Sequence, residues 1–227
     1  VGVRLKNGAV FLHVPKTGGG WVSKVLNELG LAEAPTAIKH ADMAHHFGRF
    51  YRNSPLAHLK AVAADVLSPL RSKPFVFCFV RHPVSWYESW FRFMAQPRLD
   101  WMTFGRAADP RDWHPTSMLN GTGAADFSDF VLNVIERRPG FVTELFGWYT
   151  TPEIDFIGKQ ENLAEDLVRV LELMDLKFDK DLVMRAAPFG VGEAPANPII
   201  WRAGLKEEVR ALEYAGIVRY GYRDFPC

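Results

Sequence analysis

The chain has 227 residues, 48% of them apolar and 23% charged, a balance that supports a buried core and excludes a disordered or low-complexity protein. A formal net charge of +1 argues against a chain devoted to coating nucleic acid or an anionic membrane, so electrostatic function has to be sought in local sites. Two cysteines, Cys78 inside FVFCFV and Cys227 at the last position, exclude a disulfide scaffold and a zinc-cysteine centre.

Cys78 is expected to be a small buried hydrophobe, and a reducing, cytoplasmic setting is expected. The longest apolar stretches fall short of a membrane span, and the opening VGVRLKNGAVFLHV lacks a secretory pattern. A leader or anchor on a longer natural chain is left open.

In chain order, the first expected strand is AVFLHV (9–14), and Val22, Val25, Leu26 and Leu29 then recur at helical spacing up to Gly30. FVFCFV (75–80) is the second strand, followed by a helix with Trp86, Trp90 and Phe93 on one face. Helices are expected over 127–137 and 205–214. IDFIG (154–158) is the third strand, and the helix after it carries Leu163, Leu167, Val170, Leu171 and Met174, with Asn162 and Glu165 resembling a capping box. Segments 96–125 and 188–198 have poor periodicity and read as long functional loops.

Strand followed by helix, repeated, predicts one α/β domain over residues 1–227 with a central, mainly parallel sheet flanked by helices.

The chemistry concentrates at HVPKTGGGW (13–21), between the first strand and its helix. Backbone N–H groups of such a turn converge on one spot and favour an anion. Gly18, Gly19 and Gly20 let the backbone approach a phosphate, while Lys16 adds a point charge. A Walker loop reads G-x-x-x-x-G-K-S/T, with lysine after the glycines and a hydroxyl for Mg²⁺; here lysine comes first and Trp21 follows Gly20. That order disfavours a metal-dependent phosphotransferase. A second junction, FVRHPVSWYESWF, puts Arg81 directly after a buried strand and Ser89 on the next helix, a guanidinium and a hydroxyl suited to another phosphate.

With these motifs in this order, the chain resembles the PAPS-dependent sulfotransferases, which use 3′-phosphoadenosine 5′-phosphosulfate (PAPS) as donor and release 3′-phosphoadenosine 5′-phosphate (PAP). HVPKTGG looks like that family's 5′-phosphosulfate loop, and FVRHPVSWYESWF looks like its 3′-phosphate motif. DFIGKQENLAEDL is similar to a later strand-helix stretch of bacterial and carbohydrate sulfotransferases, and RYGYRDF is weakly similar to their C-terminal end. The resemblance implies a P-loop-like sulfotransferase fold and metal-independent transfer to an acceptor hydroxyl.

It also implies site residues. Donor contacts fall on Lys16, Thr17, Gly18, Gly19, Gly20, Trp21, Arg81, Ser89 and Lys159, with Asn162 near the nucleotide, and Lys16 assists departure of the leaving group. Many members carry Thr or Ser where this chain has Gly20, which leaves more of the 5′-phosphate grip to backbone N–H groups, Thr17 or Ser23. The helical spacing of Trp86 and Trp90 favours core packing over base stacking.

The acceptor needs a base. TAIKHADMAHHF holds His40, His45 and His46; His40 is the candidate, with His45 in reserve, while His13 is expected to be structural. Trp101, Trp113, His114, Arg106 and Arg111 lie in the irregular segment that would close over an acceptor, expected by resemblance to be a carbohydrate or another small alcohol. No nucleic-acid partner and no metal are expected. The alternatives are a non-catalytic nucleotide- or glycan-binding module, for which Gly20 speaks, and the P-loop phosphotransferase already disfavoured.

Overall fold

The computed structural model describes residues 2–36, 39–46, 73–105, 114–189 and 199–222. A five-stranded sheet runs through them: β1 (Val3–Leu5), β2 (Val10–Leu12), β3 (Ala32–Pro35), β4 (Val76–Val80) and β5 (Phe156–Lys159), ordered β3-β1-β2-β4-β5. β2, β4 and β5 pair in parallel, whereas β1 is antiparallel to both β2 and β3. The sheet is therefore mixed, and its parallel part is the portion read from the three apolar runs. β1 and β3 escaped the sequence reading because VRL is short and AEAP has weak strand propensity; neighbours, not composition, hold them in the sheet.

A helix follows each of β2, β3, β4 and β5. α1 (Gly19–Glu28) comes after β2, α2 (Met43–His46) after β3, α3 (Pro83–Met94) after β4, and α6 (Leu163–Leu173) after β5. Between them lie a 3-10 turn (Pro115–Leu119), α4 (Phe127–Arg137) and α5 (Phe141–Tyr149). α7 (Lys180–Arg185), α8 (Leu205–Leu212) and α9 (Tyr214–Arg219) complete the described helices, the last two replacing the single helix expected there. α5, FVTELFGWY, is apolar on nearly every side and so shows no amphipathic period. The expected capping box at Asn162 does not form; its side chain makes no cap hydrogen bond.

Period-two alternation sorts the core. Val10, Leu12, Val76, Cys78 and Val80 face α3, α4, α5, α8 and α9, while Phe11, Phe77 and Phe79 face α1, α6 and α7. All five residues of β4 are buried, as a strand covered on both faces must be. Cys78 sits there as a free thiol, pushed up to about 12 by burial and hence inert. Among the described residues no helix is long and apolar enough to cross a membrane.

Two side chains tie this scaffold to the glycine loop. Trp86 is buried in α3, stacked on Trp90 at 5.6 Å, and donates its indole N–H to the Pro15 carbonyl at 2.9 Å. Buried Glu213 accepts from Tyr87 Oη at 2.8 Å and from the Val142 and Thr143 N–H groups at 3.0 and 2.7 Å, capping α5 and locking α3, α5 and α9 together. Trp86→Phe strands the buried Pro15 carbonyl, and we expect a loss of about 1–3 kcal/mol in urea unfolding; an unchanged midpoint would mean that the carbonyl finds another donor.

Candidate functional site

Parallel pairing of β2 with β4, and of β4 with β5, brings three loops to the C-terminal edge of the sheet, where doubly wound folds bind ligands. The loop after β2 turns sharply. Lys16 adopts φ 65°, a left-handed conformation uncommon for a side-chain-bearing residue, and Gly18 follows at φ 82°. Thr17 is buried and donates its hydroxyl to the Val14 carbonyl at 3.0 Å. Its side chain therefore braces the turn.

The glycines have separate causes. A Cβ on Gly18 would lie 2.6 Å from Leu163 Cδ2, and one on Gly19 would lie 2.0 Å from the His13 ring. Both positions exclude a side chain by packing, Gly18 by its backbone as well. At Gly20 the added carbon would meet only Phe189 at 3.5 Å, an ordinary contact. α1 begins at Gly19 with no side-chain cap and no acidic residue in its first turn, so no side chain at its start satisfies the leading N–H groups, the kind of helix end that favours an anion.

Two cations stand at this edge. Lys16 Nζ lies 4.5 Å from the centre of the Phe93 ring, and burial, then the charge of Arg81, lowers its pKa to about 8. Arg81 follows β4, and its Nε is buried with no hydrogen-bond partner among the described residues. Burial pulls its pKa down, while Glu161 and Glu88 pull it back up. Glu161 is itself engaged, accepting from the His82 N–H and from Tyr222 Oη at 2.8 Å each. Ser89 lies half-buried on α3.

Beside the loop is a cavity of about 350 Å³ lined by His13, Pro15, Lys16, the three glycines, Lys39, His40, Trp90, Phe93, Phe104, His114 and Phe189. Three imidazoles meet in it: the His40 ring centre is 4.6 Å from that of His13 and 4.3 Å from that of His114. His40 is buried, its Nδ1 lies 2.9 Å from the His13 carbonyl, and its own carbonyl accepts from Tyr149 Oη at 2.7 Å. A carbonyl can only accept, so Nδ1 carries the proton and Nε2 the lone pair. Burial lowers the His40 pKa to about 3, and His13 and His114 are likewise driven well below the usual imidazole range, so all three are neutral.

The remaining expected residues take other positions. Trp21 packs into the core on the α6 side of the sheet, its indole 3.5 Å from the Ala186 carbonyl. Lys159 donates Nζ to the Gly221 carbonyl at 3.0 Å and lies over the Tyr222 ring, so RYGY serves to close the end of β5. Asn162 is exposed at the start of α6. Ser23 returns its hydroxyl to the Gly19 carbonyl at 2.8 Å. His45 pairs with Asp42 at 2.8 Å and does not line the cavity. Arg106, Arg111 and Trp113 lie outside the described residues.

Sequence reasoning placed His114 in the acceptor segment but not beside His40, and it missed His13 as the residue that orients His40, and Lys39. One signal was present. His82-Pro83 and His114-Pro115 both open helical turns, each with the histidine Nδ1 accepting the N–H two residues on, at 3.2 and 3.3 Å.

Comparison of the chain with protein-family models, curated proteins and solved structures finds no match in any of the three.

The glycine geometry separates two substitutions. Gly19→Ala is expected to cost about 1–3 kcal/mol by overpacking His13, and Gly20→Ser to stay within about 0.5 kcal/mol of the parent. Thermal denaturation of the pair checks this, and equal effects would contradict the different roles drawn for them.

Proposed function

We propose that the protein is a PAPS-dependent sulfotransferase that moves a sulfuryl group to an acceptor hydroxyl without a metal. The observation that carries this reading is the pair of cations, Lys16 and Arg81 with its unpartnered Nε, in the loops that leave adjacent parallel strands beside an uncapped helix start. Such an arrangement favours a ligand with two separated anionic groups. The motif order resembling that family supplies the identity of the ligand: its 5′-phosphosulfate against Lys16 and the Gly18–Gly20 backbone, its 3′-phosphate against Arg81 and Ser89.

In this reading Lys16 meets the charge left on the 5′-phosphate oxygen when its bond to sulfur breaks. His40 Nε2 takes the proton from the acceptor oxygen as that oxygen bonds to sulfur. The hydrogen bond to the His13 carbonyl holds the ring in the required tautomer. His40 starts with low basicity, and the negative charge brought by the donor raises it as the reaction proceeds. Trp90, Phe93 and Phe104 supply an apolar wall suited to the C–H face of a sugar or to an aryl group.

Calorimetric titration with PAP, against ADP and ATP, tests the reading: binding should require the 3′-phosphate and be indifferent to Mg²⁺. Binding only of Mg·ATP would refute it. Because Lys16 titrates near 8 in the free protein and an anion favours its charged form, PAP affinity should fall up to about tenfold per unit as pH rises above 8. That dependence should vanish in Lys16→Ala.

His40→Ala should lower kcat by about 10²–10⁴ while leaving the PAP Kd nearly unchanged. A variant with parental kcat would remove His40 from the role of base.

A further inference from the structure

The tautomer of His114 is set in the opposite sense to that of His40. Its Nδ1 accepts the Thr116 N–H at 3.3 Å and lies 2.6 Å from Thr116 Oγ1. A backbone N–H can only donate, so Nδ1 holds a lone pair and, in the neutral ring, the proton sits on Nε2. His40 has its proton on Nδ1, against the His13 carbonyl, and its lone pair on Nε2. Two rings with centres 4.3 Å apart, both lining the cavity, therefore carry opposite tautomers, an Nε2 lone pair on His40 and an Nε2–H on His114.

A hydroxyl has one hydrogen and two lone pairs, and transfer to sulfur uses one of those pairs. Its hydrogen goes to His40 Nε2, one lone pair attacks sulfur, and the other is free to receive the His114 Nε2–H. A neutral amine has a single lone pair. Once that pair is aimed at sulfur, nothing remains for His114, whose N–H is left unsatisfied in a partly desolvated cavity, a cost that hydroxyl acceptors do not incur.

We propose that His40 and His114 form a tautomer-locked acceptor–donor pair that selects hydroxyl over amine nucleophiles, with His114 binding the acceptor oxygen. This rests on the sulfotransferase reading for its chemistry, though not for its geometry. Trp90 and Phe104 pack against His114 at 5.9 and 5.0 Å between ring centres, and Thr116 is buried, so the ring has little freedom to turn over.

Two measurements test it. Two-bond ¹H–¹⁵N spectra of the labelled protein, assigned with His40 and His114 variants, should show Nδ1 protonated in His40 and Nε2 protonated in His114. The same protonated nitrogen in both rings would overturn the pair.

With PAPS as donor and 4-aminobenzyl alcohol as a probe offering both nucleophiles, the parent should make sulfate ester in excess of sulfamate. His114→Phe should lower the ester-to-sulfamate ratio at least about tenfold, and His114→Gln, which keeps an N–H donor, should restore much of it. PAP affinity should change less than about twofold in both variants, since the pair acts on the acceptor. An unchanged ratio in His114→Phe, or PAPS that binds yet sulfates neither group, overturns the selection. Failure of the parent to bind PAP would instead remove the transferase reading, and hydroxyl selection with it, while the spectra still decide the locked pair.

Discussion

The parallel register of β2 against β4, with Val10 opposite Val76 and Leu12 opposite Cys78, is the constraint on which the site depends. It places the Lys16 turn and Arg81 at one sheet edge although 65 positions separate them in the chain. Burying positive charge is unfavourable, and the charge of Arg81 depresses the protonation of Lys16 further. The cost is met by a rigid support: β4 buried on both faces, α3 packed by stacked tryptophans, and the Trp86 indole clamped on the Pro15 carbonyl. A rigid site that leaves the Arg81 Nε without a partner among the described residues is preorganised, in the proposed reading, for an anionic ligand that needs little rearrangement to bind.

The same economy appears in the histidines. Two His-Pro steps use the proline to hold the preceding residue out of the helical region, so that the histidine side chain caps the turn. The cap is a structural device, yet it settles which ring nitrogen keeps a lone pair. In His114 that spends Nδ1 on the fold and leaves the proton of the neutral ring on Nε2. His40, lacking such a cap, is set the other way by a carbonyl from β2's own exit loop. Local backbone satisfaction thus writes the chemistry of the cavity wall.

Legibility in the sequence followed the same division. The three parallel strands, the helices after them and the glycine turn were readable, because buried apolar runs and turn residues act locally. So was the core role of Trp86 and Trp90. The antiparallel β1 and β3 were not, since VRL and AEAP owe their strand conformation to neighbours distant in sequence. Nor was the reason for each glycine: Gly19 is required by the His13 ring beneath it and Gly18 by Leu163, contacts made only after folding. The neighbourhood of His40 and His114, 74 positions apart in the chain, is likewise tertiary information.

Gly20 bears on whether the loop has lost function. An absent hydroxyl at that position would weaken an anion site built on side chains, but here Thr17 and Ser23 already spend their hydroxyls on the Val14 and Gly19 carbonyls. In the proposed reading the anion is held by main-chain N–H groups, the helix start and Lys16. Since a Cβ at Gly20 meets nothing closer than 3.5 Å, packing does not compel glycine there. A residue whose added carbon would touch only Phe189 is compatible with a working anion site with or without a side chain. Gly20 therefore gives no structural argument for a degenerate binding module, and the proposed transferase reading rests on the half-buried cations and the oriented, neutral imidazole.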